Sequence, residues 1–416
     1  MKRLIFAAAM ALAACSGSAD EEEGTDTSDA TSAPFELYFT NPLPDLIARG
    51  DVDAAALGEL ARTKIASGPE PDKRLVSLID SAKGKACSVL LADFDYNLQP
   101  ISDALVRAKA RGCDVRVVTD GDTVDRANAS TVASQRYGRH GFDSKYQAPL
   151  DTLFRANVPV HDDGSRGAIM HNKFVVINGT TVWTGSWNMS AGDLAYWNHA
   201  IVLRSPDIAA RYTQDFEYLF KRYAPAHAPG SHLLDATFTP PQNHKIMFGT
   251  RPVEVYFPRA DKATARIAEV VGQASRSIHF MAFQFTEGPI ADAVVERAAH
   301  GVQVRGVFEN NGACAGAYPR FLSKGTMDLS RWSLGRIQGL RNFLHHKVFI
   351  LDGATVVLGS FNFSASADTA NDENVLIITD PDIAKAFEDE YVLVENATKR
   401  THESGPCKPR TTNSVQ

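Results

Sequence analysis

Residues 171–190 read HNKFVVINGTTVWTGSWNMS, and residues 345–364 read HHKVFILDGATVVLGSFNFS. Aligned without gaps, the two stretches agree at nine of twenty positions, and the agreement falls on His, Lys, Gly, Thr-Val, Gly-Ser, Asn and a closing Ser. The polar residues recur while the apolar ones drift, the reverse of what packing alone would preserve. Each stretch gathers an imidazole, an ammonium and neutral donors, and two such clusters brought together suit a phosphodiester. Lys173, Lys347, Ser186, Ser360, Asn188 and Asn362 can hold the non-bridging oxygens and the charge of a five-coordinate transition state. One of His171 and His345 can attack phosphorus, while the other protonates the leaving alcohol and then activates water. That chemistry calls for no metal and no cofactor.

A strand explains the spacing. Residues two apart in a strand share a face, so His171 lies with Lys173 and His345 with Lys347. The apolar runs that follow end at Asn178-Gly179 and Asp352-Gly353, dipeptides favoured in two-residue hairpin turns. With those dipeptides as loops, Leu351 pairs with Ala354, His345 falls opposite Ser360 and His171 opposite Ser186. Asn188 and Asn362 follow on the same face. Asn178 and Asp352 are then turn residues, and His346 points away from His345 into packing. His161, Asp162 and Asp163 read as a polar loop rather than a metal site.

The repeat extends outward. FELYFTNP (35–42) matches VEVYFPRA (253–260), and HAIVLRSPDIAARYTQDFEYL (199–219) matches NVLIITDPDIAKAFEDEYVLV (374–394). Residues 88–120 and 277–309 each read as strand, amphipathic helix and strand, with Gly112 and Gly301 as helix C-caps. The fold class is therefore α/β: two pseudo-twofold-related halves, each a mixed sheet flanked by helices, with the active site at their interface. The first half spans 34–235 and the second 250–400, followed by a tail at 401–416. Residues 43–73 are an insertion in the first half.

HxKxxxxD followed by GSxN, present twice in one chain, resembles the signature of the phospholipase D superfamily. The resemblance covers about residues 35–395, and it implies a covalent phosphohistidine and a phosphoric diester hydrolase. The second copy fits at His345, Lys347, Asp352, Gly359, Ser360 and Asn362; the first departs at Asn178. Family members carry a carboxylate some thirty residues after the histidine, bonding its other ring nitrogen. Glu373 stands there in the second half and Asn198 in the first. The resemblance thus implies that Glu373 holds His345 as the proton donor, leaving His171 as nucleophile.

Composition bounds the rest. Lys2 and Arg3 precede the apolar run LIFAAAMALAA, too short to span a membrane, which leads into Cys15. This resembles a bacterial lipoprotein signal (1–15) with Cys15 as the lipid anchor, and Ser16 implies outer-membrane delivery. The expected location is an exported, anchored protein facing the periplasm or exterior, with plain secretion as the alternative. Residues 16–33 read as a disordered acidic tether. The chain carries −6 overall, −4 of it in residues 1–33, so the body shows no basic footprint for nucleic acid. Export permits disulfides among Cys87, Cys113, Cys314 and Cys407, in any of three pairings; parallel neighbouring strands would bring Cys87 to Cys113. The segment 311–344 interleaves Arg320, Lys324, Arg331, Arg336 and Arg341 with Tyr318, Phe321, Trp332 and Phe343, and offers a substrate rim. The expected substrate is a phospholipid at a membrane surface, met by a monomer that holds both motifs. Nucleic acid cleavage, or a degenerate site that only binds phosphate or lipid, are the alternatives.

Overall fold

The computed structural model describes residues 35–44, 70–127, 143–164, 167–226, 234, 236–241, 243–332, 342–401 and 407. The signal, Cys15, the tether, most of the 43–73 insertion, Arg336, Arg341 and most of the tail lie outside the described residues. The first sheet is built from β1 (Phe35–Thr40), β2 (Ser88–Asp93), β3 (Asp114–Thr119), β4 (Val160–Asp162), β5 (Lys173–Ile177), β6 (Thr181–Gly185), β7 (Asn198–Arg204) and β8 (Ala224–Pro225). The second is built from β9 (Lys245–Phe248), β10 (Arg251–Tyr256), β11 (Ser277–Ala282), β12 (Gln303–Glu309), β13 (Asp328–Trp332), β14 (Lys347–Leu351), β15 (Thr355–Gly359) and β16 (Val375–Thr379).

The strand orders are β1-β7-β6-β5-β2-β3-β4-β8 and β13-β12-β11-β14-β15-β16-β10-β9. Read in opposite directions, they are the same order apart from one extra edge strand each. Both sheets are mixed: β2 runs parallel to β3 and antiparallel to β5, and β11 repeats this with β12 and β14. The helices Gln99–Ala110 and Gly288–Ala299 make the crossovers. Both end as the sequence predicts. Gly112 and Gly301 take φ of 90° and 85°. Cys113 N reaches back to Ala108 O and Val302 N to Arg297 O, which satisfies the last carbonyls.

Among the described residues, three apolar clusters hold the molecule. Two are internal to a half. The third joins the halves: Tyr212, Phe216 and Leu219 from the helix Pro206–Arg222 share it with Ile383, Phe387 and Tyr391 from the helix Pro381–Thr401. These two helices, the PDIA repeats of the sequence, form the layer between the sheets. The halves also touch through backbone. His171 N donates to Asp372 O, and His345 N donates to Trp197 O, both at 2.9 Å. Disulfides join Cys87 to Cys113 and Cys314 to Cys407. Among the described residues no helix is long and apolar enough to cross a membrane.

Two expectations need correction. The hairpin register is offset by one, with Ile177 opposite Thr181 and Leu351 opposite Thr355. The turn residues do take positive φ (Asn178 53°, Gly179 62°, Asp352 56°, Gly353 62°), but one extra residue follows each turn, so His171 does not sit opposite Ser186 by simple pairing. Of the described residues in the segment 311–344, those at 318–332 form no rim. Tyr318, Phe321 and Trp332 are core residues, and Arg331 is buried against Tyr318, Asn310 and Cys314. Arg320 pairs with Asp292 on the surface.

Candidate active site

His171 and His345 each stand at the entry to a central strand, at 5% and 6% exposure. A strand entry is where the ladder ends, so the ring can face a cleft while the strand stays buried. Carboxyl groups anchor the residues just ahead of them. Met170 N donates to Asp120 Oδ2 at 3.1 Å and to Asp163 Oδ2 at 3.2 Å, and Leu344 N donates to Glu309 Oε2 at 2.9 Å. Burial and the neighbouring Asp163 raise Asp120 well above its ordinary value, and burial pushes Glu309 up to about 7. Asp120 and Glu309 close the repeated βαβ stretches, so this signal was present in the sequence and went unread.

The two histidines are held crosswise. His171 Nδ1 lies 2.8 Å from Glu373 Oε2, and His345 Nδ1 lies 2.8 Å from Asn198 Oδ1. Glu373 therefore serves His171 of the opposite half, not His345 as the sequence suggested. The carboxylate near His345 is Asp193, 3.4 Å from its Nδ1, on a short turn after the first GSxN segment. Asp193 also accepts from Asn188, Ser190 and Asn198. The repeat changes its offset by one residue between Asn188 and Asn198, so no motif pointed to Asp193.

Burial acts on every ionisable group here. Burial, then Lys173 and Lys347, hold His171 well below its ordinary value. Burial and Lys347 push His345 down to about 3, against the pull of Asp193. Burial lowers Lys173, and burial with the Lys173 charge lowers Lys347 further. The two carboxyls diverge. Burial raises Glu373 to about 8, although Lys173 and Ser360 oppose it. Burial would raise Asp193 too, but its bonds to His345 and Asn188 prevail and hold it below the usual carboxylate value.

The lysines back-bond to their own histidines, Lys173 Nζ to His171 O at 2.6 Å and Lys347 Nζ to His345 O at 2.8 Å. Each also lies over a ring, Phe94 at 5.0 Å and Phe283 at 4.8 Å. Those rings meet His171 and His345 edge-on, and Phe343 and Tyr196 extend the half-buried aromatic wall on the His345 side.

Ser186 and Ser360 differ from their expected role. Ser186 Oγ donates to Asn198 Oδ1 at 2.9 Å and Ser360 Oγ to Glu373 Oε2 at 2.6 Å, so both orient the groups that hold the histidines rather than a phosphate. The backbone places them there: Ser186 N and Trp187 N both donate to His199 O, a bulge that re-aims the serine. Asn188 Oδ1 and Asn362 Oδ1 are buried without a partner among the described residues, while Asn188 Nδ2 donates to Asp193 Oδ1 at 3.1 Å. Asp352 lies at the far end of its strand, where it accepts the N–H groups of Ser275, Arg276 and Ser277; among the described residues the Asn178 side chain accepts Ser88 N alone. The Asn178 departure thus concerns a turn, not the chemistry.

Fold and site together define an α/β protein in which two copies of one histidine–lysine motif meet across an internal pseudo-twofold axis. Residues 75–220 and 267–392, more than half of the chain, match the family described as cardiolipin synthase, PLD-like domain. The chain belongs to the phospholipase D superfamily. It is 27% identical over 156 residues to a mitochondrial cardiolipin hydrolase of Chlamydomonas reinhardtii, covering 36% of this chain and 66% of that one. It is 30% identical over 135 residues to a phospholipase D of Rickettsia bellii (strain RML369-C), covering 32% of this chain and 65% of that one. Each alignment thus spans just under two thirds of the curated relative. A crystal structure of phosphatidylserine synthase from Haemophilus influenzae Rd KW20 shares the fold, with a TM-score of 0.55 and 16% identity, over 78% of this chain and 83% of that one.

Proposed function

We propose that the protein hydrolyses phosphodiesters through a phosphohistidine on His171, with phospholipids as substrates. The observation that carries this reading is the crossed pairing, which sets two different carboxyls behind two copies of one motif. A neutral His171 that donates Nδ1–H to Glu373 keeps its lone pair on Nε2, as a nucleophile must. His345 stands beside the carboxylate that stays ionised, Asp193, which favours its imidazolium. The negative charge of a bound phosphodiester would offset Lys347 and raise the His345 pKa from its lowered value. His171 therefore remains the nucleophile and His345 the acid, for a reason other than the one the sequence offered.

In the first step Nε2 of His171 attacks phosphorus, the bond to the leaving oxygen breaks, and His345 gives that oxygen its proton. In the second, His345 takes a proton from water, the hydroxide attacks phosphorus, and the P–N bond breaks. The products are a phosphomonoester and an alcohol; for a phospholipid these are phosphatidic acid and the headgroup alcohol. Lys173, Lys347, Asn188 and Asn362 hold the phosphoryl oxygens. The half-buried rings of Phe94, Phe283, Phe343 and Tyr196 make a mouth suited to a lipid, and the lipid anchor expected at Cys15 would keep that mouth at a membrane.

The test incubates residues 34–416 in EDTA with vesicles of phosphatidylcholine, phosphatidylethanolamine or cardiolipin, and separately with single- and double-stranded DNA. A lipid phosphate that appears with the intact protein and disappears in His171→Ala and His345→Ala is the expected result. Cleaved DNA beside untouched lipid would make it a nuclease with the same mechanism. No product from any substrate would sink the enzymatic reading in favour of a binding protein.

A further inference from the structure

Under the two histidine pairs lies a second layer of buried polar side chains, and there the pseudo-symmetry breaks. Beside His171, Asn374 Nδ2 donates to Asn172 Oδ1 at 2.8 Å, and Asn172 Nδ2 reaches Asp215 Oδ2 at 3.4 Å. Thr184 and Tyr212 hydroxyls donate to Asn374 Oδ1. The repeat places His346, His199 and Glu390 at the three corresponding positions beside His345. His346 Nδ1 lies 3.1 Å from His199 Nδ1, the two rings stack within 7° of parallel, and His346 Nε2 lies 3.5 Å from Glu390 Oε1. All three residues are fully buried. Amides cannot titrate; imidazoles can.

We propose that His199, His346 and Glu390 form a titratable positioning relay that fixes the tautomer of His345, while the amide layer beside His171 leaves that histidine without one. The proposal rests on the assignment of His345 as acid and base. Two Nδ1 atoms at 3.1 Å can share only one hydrogen, so each is committed to the other. Ser186 Oγ lies 3.2 Å from His199 Nδ1 and 2.9 Å from Asn198 Oδ1, and a hydroxyl has one hydrogen to give. With His199 Nδ1 engaged by His346, that hydrogen goes to Asn198 Oδ1, the same oxygen that accepts His345 Nδ1–H. Asn198 is then fixed from both ends, since its amide donates to Asp193. Release of His199 Nδ1 would create a rival acceptor for Ser186 and loosen Asn198. His345 could then carry its hydrogen on Nε2, where it cannot accept a proton from water.

The surroundings make the relay sensitive to protonation. Lys347 and His345 face His199 from β14 and its lead-in, and Glu390 faces His346 from the helix Pro381–Thr401. β1 and that helix contribute the apolar rings of Phe39 and Phe387. Burial, then the charges of His346 and Lys347, hold His199 well below its ordinary value. Acid that protonates both rings would set N–H against N–H and break the contact.

The test compares wild type, His346→Asn and the double variant His199→Asn/His346→Asn, which installs the amide pair found beside His171. Nitrogen-15 spectra of histidine-labelled protein report the His345 tautomer and need no substrate. Expected are a single Nδ1–H tautomer in wild type, a mixture in His346→Asn, and the single form regained in the double variant. With bis(4-nitrophenyl) phosphate, kcat of the single variant should fall about tenfold at unchanged KM, with recovery in the double variant. An unchanged His345 spectrum in His346→Asn overturns the relay, as does a double variant no better than the single. Wild type that turns over no phosphodiester would defeat the proposed function alone, because the spectra still decide the relay.

Discussion

Glu373 and Asp193, the carboxyls nearest the histidines, titrate in opposite directions, and each direction has a consequence for stability. Glu373 is raised from 4.5 to about 8, so between those pH values the unfolded chain ionises it while the fold does not. Its contribution to stability is therefore lost as pH rises from about 4.5 through about 8. Glu373→Gln removes that loss: the variant should melt a few degrees above wild type at pH 8, about as wild type does at pH 4, and turn over more slowly at both. Scanning calorimetry at the two pH values checks this, and a variant less stable at pH 8 would contradict it. Asp193 is lowered, so its contribution is present above the unfolded value and lost as pH falls through the folded one. Asp193→Asn should lower kcat about a hundredfold by removing the ionised group that favours the His345 imidazolium, read from the pH–rate profile.

At the scale of the elements, the GSxN segments depend on glycine for a reason of space. A Cβ on Gly185 would stand 2.3 Å from His199 O, and one on Gly359 would stand 2.3 Å from Asn374 O, with φ of 154° and 143°. The strand pairs β6–β7 and β15–β16 close there so that the serine can bond the residue that holds the histidine. Gly359→Ala should cost about 3 kcal/mol or more, measured by denaturant unfolding, because both the backbone and the neighbouring carbonyl must move. These elements also show what was legible beforehand. Turns and C-caps each depend on two or three adjacent residues, so Asn178, Asp352, Gly112 and Gly301 could be read directly. Register could not, because the extra residue after each turn and the bulge at Ser186 leave no mark in the alternation of apolar residues. The partner of His171 was misread for a related reason. Glu373 is 28 positions from His345 and 202 from His171, and only the packing of the halves decides which it meets.

At the scale of the molecule, the site exists only where the halves meet, and so does the largest of the three core clusters among the described residues. Tyr212, Phe216, Leu219, Ile383 and Phe387 are fully buried in the shared cluster. Exposing side chains of that size costs about 1.5–3 kcal/mol each, so separating the halves would consume the 5–15 kcal/mol margin of an ordinary fold. Neither disulfide opposes separation, since Cys87–Cys113 lies within the first half and Cys314–Cys407 within the second. What joins them is packing, the crossed histidine pairs, the polar layer beneath them (Asn172 with Asn374, His199 with His346) and the backbone bonds at Asp372 and Trp197. Residues 35–226 and 243–407, each made alone, should therefore aggregate and show no turnover. Refolded together they should elute as one complex and recover activity, because every group of the site is present and no covalent bond between the halves is needed to hold it. Gel filtration with turnover of the mixture checks this. An active single half would refute it, because His171 would then work without Glu373, or His345 without Asn198 and Asp193.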